Sequence, residues 1–528
     1  MLVLVQMALT LMGVMLFIGS HPGIVFKNGF FLFGYIALVP VFILIKKSTV
    51  KLLFLWGFLY GLFCYSLFAF WLFNYSPVLF ISAVLLYAVI LSFVFVVMKV
   101  CSRNSSYEMY IMALIWCIYE YLKTLGPLGF SYGIMGYSQW KNSLMLTLSS
   151  FCGVWGTSFV CAFLAALIAS ACIDYKQIKK HRVKYIISAS VVFVFFAGIA
   201  VYHLLEKECE SKTVRVMSVQ NNTDSNKNGI DVYKKDIRTL ASLTEEKFNS
   251  DGAVDFVIWP ETAVVPPLTY YYYNRIDHER FNIIVDTLDL IAKKGACFVI
   301  GNQHTEKSFD GVFSDYNAAL VFDPKTHNIL PPYPEIYKKT RLVPFAEYIP
   351  VKFLGGLSSS KSGWNAGSIY SVFSKRNLCF CTPICFEDTF GNLCRTFVRN
   401  GAECFFDLSN DSWAQSSVSQ WQHLSMSVFR SAENHVPTVR SSGSGISCYI
   451  TARGKLFPRV IEEFSQGAEV YSVAVPINAC PTIYTICGDW LPLCEICIFI
   501  WLCISVLLKC MLKRNLKRGK IRLWQKKK

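Results

Sequence analysis

The sequence predicts a polytopic α-helical membrane bundle that carries a layered α/β domain. Of its 528 residues, 54% are hydrophobic and 16% are charged, and the mean hydropathy is +0.40. Soluble domains carry about 25% charged residues and lack repeated apolar stretches of about 20 residues. Apolar runs cluster at 1–205 and return at 490–508, whereas 206–489 has the composition of a globular domain. An ordinary soluble protein is therefore excluded.

The apolar runs divide the chain into four parts. We expect seven membrane helices at 1–205, a globular domain at 206–489, a final membrane helix at 490–508 and a basic tail at 509–528. The first run is interpreted as a retained helix, because it lacks the basic start and the small-residue cleavage site of a signal peptide. By the criterion of about 20 apolar residues, the eight candidate spans are 2–19, 29–45, 52–74, 78–98, 109–122, 146–172, 185–205 and 490–508.

Positive charge accumulates beside these spans and gives a net charge of +16. A nucleic-acid site also needs basic patches, but positive-inside topology explains basic groups that abut apolar segments. All groups fall on one side only if 109–122, which is short and holds Glu120, spans the membrane. We therefore expect cytoplasmic termini, an extracytoplasmic 206–489 domain and no nucleic-acid partner. The basic groups are Lys46, Lys47 and Lys51; Lys99 and Arg103; Lys176, Lys179, Lys180, Arg182 and Lys184; and Lys509, Lys513, Arg514, Lys517, Arg518, Lys520, Arg522, Lys526, Lys527 and Lys528.

The 20 cysteines do not form a recognisable disulfide framework. Many lie in apolar segments, where cysteine behaves as a small hydrophobe, and no Cys/His spacing indicates a zinc site. If 206–489 is extracytoplasmic, some cysteines of that domain could pair, without an indication of which. These are Cys209, Cys297, Cys379, Cys381, Cys394, Cys404 and Cys448.

Strand and helix patterns alternate within 206–489, which favours a layered α/β domain. The predicted strands are Thr213–Val219, Phe256–Trp259, Cys297–Asn302, Ala318–Asp323, Leu378–Cys385, Cys404–Leu408, Thr438–Ser441 and Ser447–Thr451. The predicted helices are 232–249, 277–294, 390–400 and 420–434.

Three segments of this domain carry reactive side chains at predicted strand ends. Glu261 follows Trp259-Pro260, Lys339 precedes Leu342-Val343-Pro344, and Cys385 ends an apolar run. Singly, such a cysteine is more often a core residue, the glutamate a cap and the lysine a surface charge. Their order and their proline-marked strand ends together indicate one catalytic site.

The chemistry requires these residue types. A thiol attacks a carbonyl as thiolate, and its ordinary pKa leaves little thiolate at neutral pH. A buried carboxylate at Glu261 is the candidate base. Lys339 and the backbone N–H of Phe386 are candidates for stabilising the oxyanion of the tetrahedral intermediate. We expect Glu347 and Glu387 to hold the lysine and the cysteine in position.

These motifs resemble those of the apolipoprotein N-acyltransferases, the membrane branch of the nitrilase superfamily, over essentially the full chain. The lysine motif fixes the register, because Lys339 rather than Lys338 stands three residues before Leu342. The matching stretches are Trp259-Pro260-Glu261-Thr262-Ala263, Tyr337 to Glu347, Ile384-Cys385-Phe386-Glu387, Ser409-Asn410-Asp411-Ser412-Trp413, Gly488-Asp489-Trp490, Gly129-Phe130 and Gly136-Tyr137-Ser138-Gln139.

The resemblance implies an αββα sandwich domain and a Glu-Lys-Cys triad of Glu261, Lys339 and Cys385. It implies ping-pong transfer: Cys385 takes an acyl chain from a phospholipid and passes the thioester to the diacylglyceryl-cysteine amine of an apolipoprotein. Asn410, Trp413 and Tyr137 become candidate substrate-binding residues. No metal or other cofactor is implied. We expect a monomer in the bacterial inner membrane, with its catalytic domain on the periplasmic side.

The sequence departs from the family pattern near the substrate loops. The family has tyrosine where Phe386 stands, glycine at Ala346 and Phe-Gly at Ala414-Gln415, and it has a tryptophan shortly after Gln220 that this chain lacks.

Two other functions are compatible with parts of the sequence. A membrane-tethered amidase or nitrilase-type hydrolase would use the same triad with water as acceptor, although a single anchor would suffice for it. A transporter would carry intramembrane ionisable residues, and only Glu120 and Glu495 qualify.

Overall fold

A computed structural model describes residues 2–525 except 104, 106, 176–177, 206–208, 225–226, 309 and 351–362. The basic side chains predicted to face the cytoplasm at 176–184 and in the tail from 509 onward lie outside the described residues.

The N-terminal part is helical. Its helices are α1 (Leu2–Ser20), α2 (Phe31–Gly34), α3 (Val39–Lys47), α4 (Val50–Phe68), α5 (Leu72–Tyr75), α6 (Pro77–Ser102), α7 (Glu108–Leu122), α8 (Ser143–Cys152), α9 (Val154–Ile173) and α10 (Ile178–Leu205). Of the described helices, α1, α4, α6, α9 and the Tyr185–Leu205 part of α10 are long and apolar enough to cross a membrane. These five coincide with five of the eight predicted spans.

The other three predicted spans are shorter or interrupted helices. Segment 29–45 is divided between α2 and α3, and 109–122 corresponds to α7, of 15 residues. The apolar part of the last helix is Trp490–Val506. Segment 146–172 is also broken, since Gly153 adopts φ +65° between α8 and α9. For the three shorter segments, membrane crossing stays a prediction.

The domain after α10 contains two β-sheets. The strands are β1 (Ser211–Gln220), β2 (Phe256–Val264), β3 (Cys297–Lys307), β4 (Phe313–Phe322), β5 (Glu335–Lys338), β6 (Phe373–Lys375), β7 (Leu378–Cys381), β8 (Cys404–Ser409), β9 (Thr438–Ser442), β10 (Cys448–Ile450) and β11 (Gly467–Pro476). One sheet has the order β11-β1-β2-β3-β4-β5 and the other β10-β9-β8-β7-β6. The central pairs β1–β2, β2–β3, β7–β8 and β8–β9 are parallel.

Alternation along β2 explains how the layers pack. Phe256 points toward the second sheet, where its ring lies 5.3 Å from Phe380 and 5.1 Å from Phe406. Val257 and Trp259 belong instead to the core beneath the helices on the other face. Successive side chains of a strand face opposite sides, so a strand buried on both faces reads as continuously apolar. The predicted αββα sandwich is confirmed.

Helices cover the two outer faces. The helices of this half are α11 (Ile230–Asp251), α12 (Leu268–Asn274), α13 (His278–Lys294), α14 (Gly391–Arg399), α15 (Ser417–Asn434), α16 (Ile483–Cys487) and α17 (Trp490–Gln525). Side chains of α11 and α13 pack on the first sheet. The predicted helices and strands of this domain are confirmed to within about five residues at their ends, except for the strand Leu378–Cys385, whereas β5, β6, β11, α12 and α16 were not predicted.

One predicted strand is wrong in a way that matters for the site. The segment Leu378–Cys385 leaves the sheet at Cys381, because Thr382-Pro383 interrupts the ladder and proline has no N–H to donate. Ile384 returns as a single bridge to Leu408. Cys385 therefore begins a 3₁₀ turn, Cys385–Thr389, rather than ending a strand.

The cysteines suggested for pairing are all free. Each cysteine in the described part of the chain is unpaired, including the seven named for the globular domain.

Candidate active site

Lys339 lies in a buried cluster with two carboxylates. Its Nζ is 2.9 Å from Glu347 Oε1 and 3.2 Å from Glu261 Oε1, and its side chain is 1% exposed. Asn317 Nδ2 donates to the same two oxygens, at 2.8 Å to Glu261 and 3.0 Å to Glu347. Burial disfavours the ammonium, but Glu347 and Glu261 outweigh it and raise the pKa of Lys339 well above its usual value. The lysine is a fixed cation.

The backbone explains why these groups meet. Glu261 belongs to β2, and Asn317 belongs to β4, on the far side of β3. Lys339 follows β5 directly, and its N–H donates to Asn317 O at 2.8 Å. Glu347 Oε2 accepts from the Val343 N–H at 2.7 Å, which holds the carboxylate in the turn after Lys339. Burial raises the pKa of Glu261, as suits a base.

Cys385 faces this cluster from the second sheet. It is buried and has φ +50°, a left-handed conformation that is uncommon for residues other than glycine. Such backbone strain is typical of functional sites. Burial and the nearby Glu261 carboxylate raise the pKa of the thiol, while Lys339 lowers it. The structure thus places Glu261 and Lys339 near enough to Cys385 to affect the pKa of its thiol, and their action as a catalytic triad stays a prediction.

Glu387 connects the lysine and cysteine segments. Its Oε1 accepts from Tyr337 Oη at 2.7 Å, Thr340 N at 2.7 Å, Thr340 Oγ1 at 2.8 Å and Arg341 N at 3.1 Å. Its Oε2 accepts from Ile384 N at 2.8 Å. A fully buried carboxylate with this many donors fixes both loops relative to each other.

The Phe386 N–H lies at the start of the 3₁₀ turn, where the first amides have no acceptor within the helix. The N–H of Phe386 therefore stays a candidate donor to an oxyanion beside Cys385. The Phe386 ring is buried edge-to-face on Phe390 at 4.9 Å, and the Arg341 guanidinium lies 4.5 Å from the Phe390 ring. A phenylalanine therefore fits where the family has tyrosine.

Lys338, the neighbouring lysine, points elsewhere. Its Nζ is 2.6 Å from Glu306 Oε2 and 4.4 Å from the Tyr316 ring, at a partly exposed site. The register chosen from sequence is consistent with this geometry.

A second buried ion cluster, not predicted, lies on the other side of Cys385. His423 Nε2 is 2.6 Å from Asp388 and Nδ1 is 2.8 Å from Asp411. Arg440 is 2.7 Å from Asp388, 2.5 Å from Asp407 and 3.0 Å from Asp411. Burial disfavours the imidazolium, but Asp388 and Asp411 raise the pKa of His423 to about 10.

One polar atom each of Cys385, Asp411 and His423 lies within 4.8 Å of the other two, a spacing compatible with a metal ion. Both His423 nitrogens, however, are hydrogen-bonded to carboxylates. A doubly protonated imidazole has no lone pair for a metal. The group is better described as an ion network.

The three candidate substrate-binding residues, Trp413, Asn410 and Tyr137, lie in different surroundings. Trp413 lies edge-to-face on Trp71 at 5.4 Å and on Tyr75 at 5.5 Å, so it faces the membrane helices. Asn410 is buried after β8, where its Oδ1 accepts from Ser412 N at 3.2 Å. Tyr137 accepts from Arg430 Nη2 at 3.2 Å.

Tyr137 lines a cavity of about 280 Å³ between the membrane helices and the globular domain, whose lining does not include Glu261, Lys339 or Cys385. We therefore place Tyr137 apart from the three reactive residues.

The structure shows the backbone at three of the departures from the family pattern. Ala346 donates to Val343 O at 3.3 Å within the turn that carries Glu347. Gln415, at the position where the family has glycine, adopts φ +42°. That conformation costs a residue with Cβ roughly 1–2 kcal/mol. Gln220 donates to Glu462 O and Ser465 O, and so anchors the start of the loop that lacks the tryptophan.

Tyr132, in the loop between α7 and α8, lies where the helical N-terminal part meets the ion cluster around His423. It is buried, and its ring lies 5.3 Å from Trp71 and 6.4 Å from His423. Its stacked neighbour Phe130, at 5.0 Å, continues the aromatic wall.

A buried thiol beside a Glu–Lys–Glu cluster, in an αββα domain joined to apolar helices, is the arrangement of a membrane-attached member of the carbon-nitrogen hydrolase superfamily. Residues 216–480 match the family model for carbon-nitrogen hydrolases, and residues 12–167 match that for the apolipoprotein N-acyltransferase N-terminal domain. The chain belongs to the apolipoprotein N-acyltransferase family, and neither the hydrolase nor the transporter alternative is favoured.

The relatives cover almost the whole chain. Apolipoprotein N-acyltransferase 1 of Treponema denticola is 34% identical over 97% of this chain and 98% of its own. Apolipoprotein N-acyltransferase 1 of Treponema pallidum is 35% identical, over 90% and 91%. A solved carbon-nitrogen hydrolase from Helicobacter pylori G27 is 14% identical, with a TM-score of 0.36, over 49% of this chain and 88% of its own.

Proposed function

We propose that this protein transfers an acyl chain from a phospholipid to the N-terminal diacylglyceryl-cysteine of apolipoproteins, through a thioester on Cys385. The observation that carries the proposal is the buried Glu261–Lys339–Glu347 cluster in electrostatic contact with a buried thiol. Membership of the apolipoprotein N-acyltransferase family supports the same substrates.

In the first half-reaction, Glu261 accepts the Cys385 proton as the sulfur attacks the ester carbonyl of the phospholipid. Lys339 and the Phe386 N–H stabilise the oxyanion that forms. Collapse breaks the ester C–O bond, and Glu261 returns the proton to the departing alkoxide, which leaves as a lysophospholipid. Glu347 and Asn317 keep Lys339 and Glu261 in place during these steps.

In the second half-reaction, the α-amino group of the apolipoprotein cysteine attacks the thioester. Glu261 accepts a proton from the amine, and the intermediate collapses with cleavage of the C–S bond. The amide leaves and the Cys385 thiolate is protonated. The enzyme therefore returns to its starting state without a cofactor.

The aromatic wall of Trp71, Phe130, Tyr132 and Trp413 supports a path for the acyl chain from the bilayer to the thiol. Tyr132 belongs to the loop between α7 and α8 and Trp413 to the globular domain, so the wall joins both halves. We assign Trp413 to the acyl chain and Asn410 to the more polar parts of the substrates near Cys385. Tyr137, which lines the separate cavity, is assigned to a part of the substrates remote from the thiol. The catalytic domain lies on the periplasmic side of the inner membrane, and one chain is sufficient for activity.

Complementation tests the reaction as a whole. The gene is expressed in cells depleted of their own N-acyltransferase, and mass spectrometry of lipoprotein N-termini is expected to show a third acyl chain. Purified protein incubated with phospholipid alone is expected to carry the acyl group on the Cys385 peptide. Cys385→Ala should abolish both results, whereas Cys381→Ala should abolish neither. An acyl group on Cys381 or Cys394 would contradict the assignment.

A further inference from the structure

We propose that His423 is a positioning residue that compensates the negative charge of Asp411 beside the Cys385 sulfur. The inference deepens the proposed function, because it rests on Cys385 being the nucleophile. His423 is bonded to Asp388 and Asp411, and it acts through these two aspartates.

The geometry fixes both ends of the imidazole. Nδ1 is 2.8 Å from Asp411 Oδ1 and Nε2 is 2.6 Å from Asp388 Oδ1, so the ring bridges the turn after Cys385 to the loop after β8. Arg440 Nη2 lies 3.0 Å from Nδ1 and opposes a charge on the ring. The two carboxylates are closer and outweigh it. Tyr132, 6.4 Å away between ring centroids, is the neighbour from the membrane side.

Three carboxyl groups and the Arg440 guanidinium share this fully buried cluster with His423. Burial raises the pKa of Asp407 well above its usual value. The pKa values of Asp388 and Asp411 are lowered; burial opposes this, but His423 and Arg440 dominate. A cationic His423 gives Asp388 and Asp411 a second positive partner beside Arg440. A neutral imidazole would leave one more buried negative charge uncompensated, which is costly in a low-dielectric interior.

Cys385 lies between the two ion clusters. On one side it faces Glu261, Lys339 and Glu347; on the other it faces Asp411, and all four affect the pKa of its thiol. The Sγ atom, an Asp411 oxygen and a His423 nitrogen lie within 4.8 Å of one another. An uncompensated Asp411 would oppose the thiolate at this distance, since a like charge within about 4–6 Å disfavours ionisation. His423 thus supplies a positive charge on the Asp411 side of Cys385, as Lys339 does on the Glu261 side.

The test is the rate at which a neutral reagent, iodoacetamide, alkylates Cys385 in the purified full-length protein without lipid. Mass spectrometry reads the modification on the Cys385 peptide. Below the pKa of a thiol, its alkylation rate follows the thiolate fraction. His423→Gln should slow alkylation at fixed pH by about tenfold or more, and Asp411→Asn should accelerate it by a similar factor. The double variant, which removes one charge of each sign, should return close to the original rate.

Ser427→Ala is the matched control, because it removes a neutral hydrogen-bonding partner of Asp388 and Arg440 from the same cluster. It should leave the pH profile of alkylation in place, although it loosens the network. A purely structural role for His423 predicts changes of the same sign in all variants, and that result would overturn the proposal. If His423→Gln does not accumulate, the direction of the Asp411→Asn shift alone decides. Because no acyl transfer is measured, failure of the proposed reaction is scored separately.

Discussion

The Glu387 carboxylate accepts a hydrogen bond from the Thr340 N–H at 2.7 Å, although the two residues are 47 positions apart. The same carboxylate accepts from the Ile384 N–H at 2.8 Å. One side chain is therefore bonded to the residue after Lys339 and to the residue before Cys385. The distance between the cation and the thiol, which follow strands of different sheets, depends on this carboxylate.

Glu387→Gln is expected to lower both stability and activity. The amide keeps the volume of the carboxylate but directs an N–H₂ group at backbone N–H donors, so at least one of them loses its acceptor. Loss of buried hydrogen bonds to a charged group costs roughly 1.5–3 kcal/mol each. Thermal unfolding in detergent and acyl transfer to a lipopeptide measure the two effects. Glu306→Gln, at a half-exposed position, is the control; equal effects of the two substitutions would argue against the connecting role.

Lys339→Met is expected to abolish most activity without preventing accumulation in the membrane. The substitution removes the cation from the oxyanion and leaves Glu261 and Glu347 as neighbouring carboxylates without the ammonium that lies between them. By analogy with the removal of an oxyanion-hole donor, the rate should fall by about 10²–10³. Lys338→Met is the control and should be nearly silent. A dead Lys338 variant beside an active Lys339 variant would show that the register is one residue out.

The rate of acyl transfer is expected to fall at acidic pH, with a midpoint above the ordinary pKa of glutamate, because Glu261 is the base. This fall is the acid limb of the pH profile. Burial raises its pKa, and only the carboxylate accepts a proton, so activity is lost as pH falls through the raised value. The kcat/KM profile for phospholipid-dependent thioester formation measures this limb. Glu261→Gln should lower the rate by about 10²–10⁴ and remove the limb from the residual activity. If the remaining activity of Glu261→Gln shows the same acid limb, the limb belongs to a group other than Glu261.

The sequence singles out Glu261, Lys339 and Cys385 because each lies in a short motif, and it places Glu347 and Glu387 beside them, but it did not predict the other side chains of the two clusters. Asn317 and Arg440 stand within strands, where a polar side chain gives no indication of what it faces across the sandwich. His423 lies on α15, whose pattern predicted a helix but not the two aspartates around the ring. Cys385 was expected at a strand end, because the apolar run hides the interruption at Pro383. Contacts between distant segments decide all these cases.

The membrane topology can be tested by cysteine labelling in intact cells. We expect an impermeant thiol reagent to reach Ser308→Cys, an exposed position of the globular domain, and to miss Lys520→Cys in the tail. Labelling is read on the peptide of each engineered residue, because native cysteines also react. Labelling of the tail but not of the globular domain would contradict the topology predicted from the basic loops. The active site would then not face an extracytoplasmic lipoprotein.

Gln422 joins the globular domain to the membrane helices and provides the last prediction. Its Nε2 donates to Pro22 O at 3.0 Å and to Phe68 O at 3.1 Å, and its Oε1 accepts from Trp71 Nε1 at 2.9 Å. These groups lie at the ends of α1 and α4 and beside the aromatic wall. Gln422→Met keeps the volume but leaves buried polar groups without partners, each at a cost of about 1–3 kcal/mol. The thermal midpoint in detergent should fall by several degrees.

Gln420, on the same helix and equally buried, is the matched control, since neither of its amide atoms has a partner within the described part of the protein. Gln420→Met removes an unsatisfied polar group and should be neutral or stabilising. If Gln422 aligns the aromatic wall with Cys385, its substitution should also slow thioester formation from long-chain phospholipid more than alkylation of Cys385 by iodoacetamide. Equal slowing of both reactions would indicate that the substitution disturbs the thiol itself rather than the path of the acyl chain.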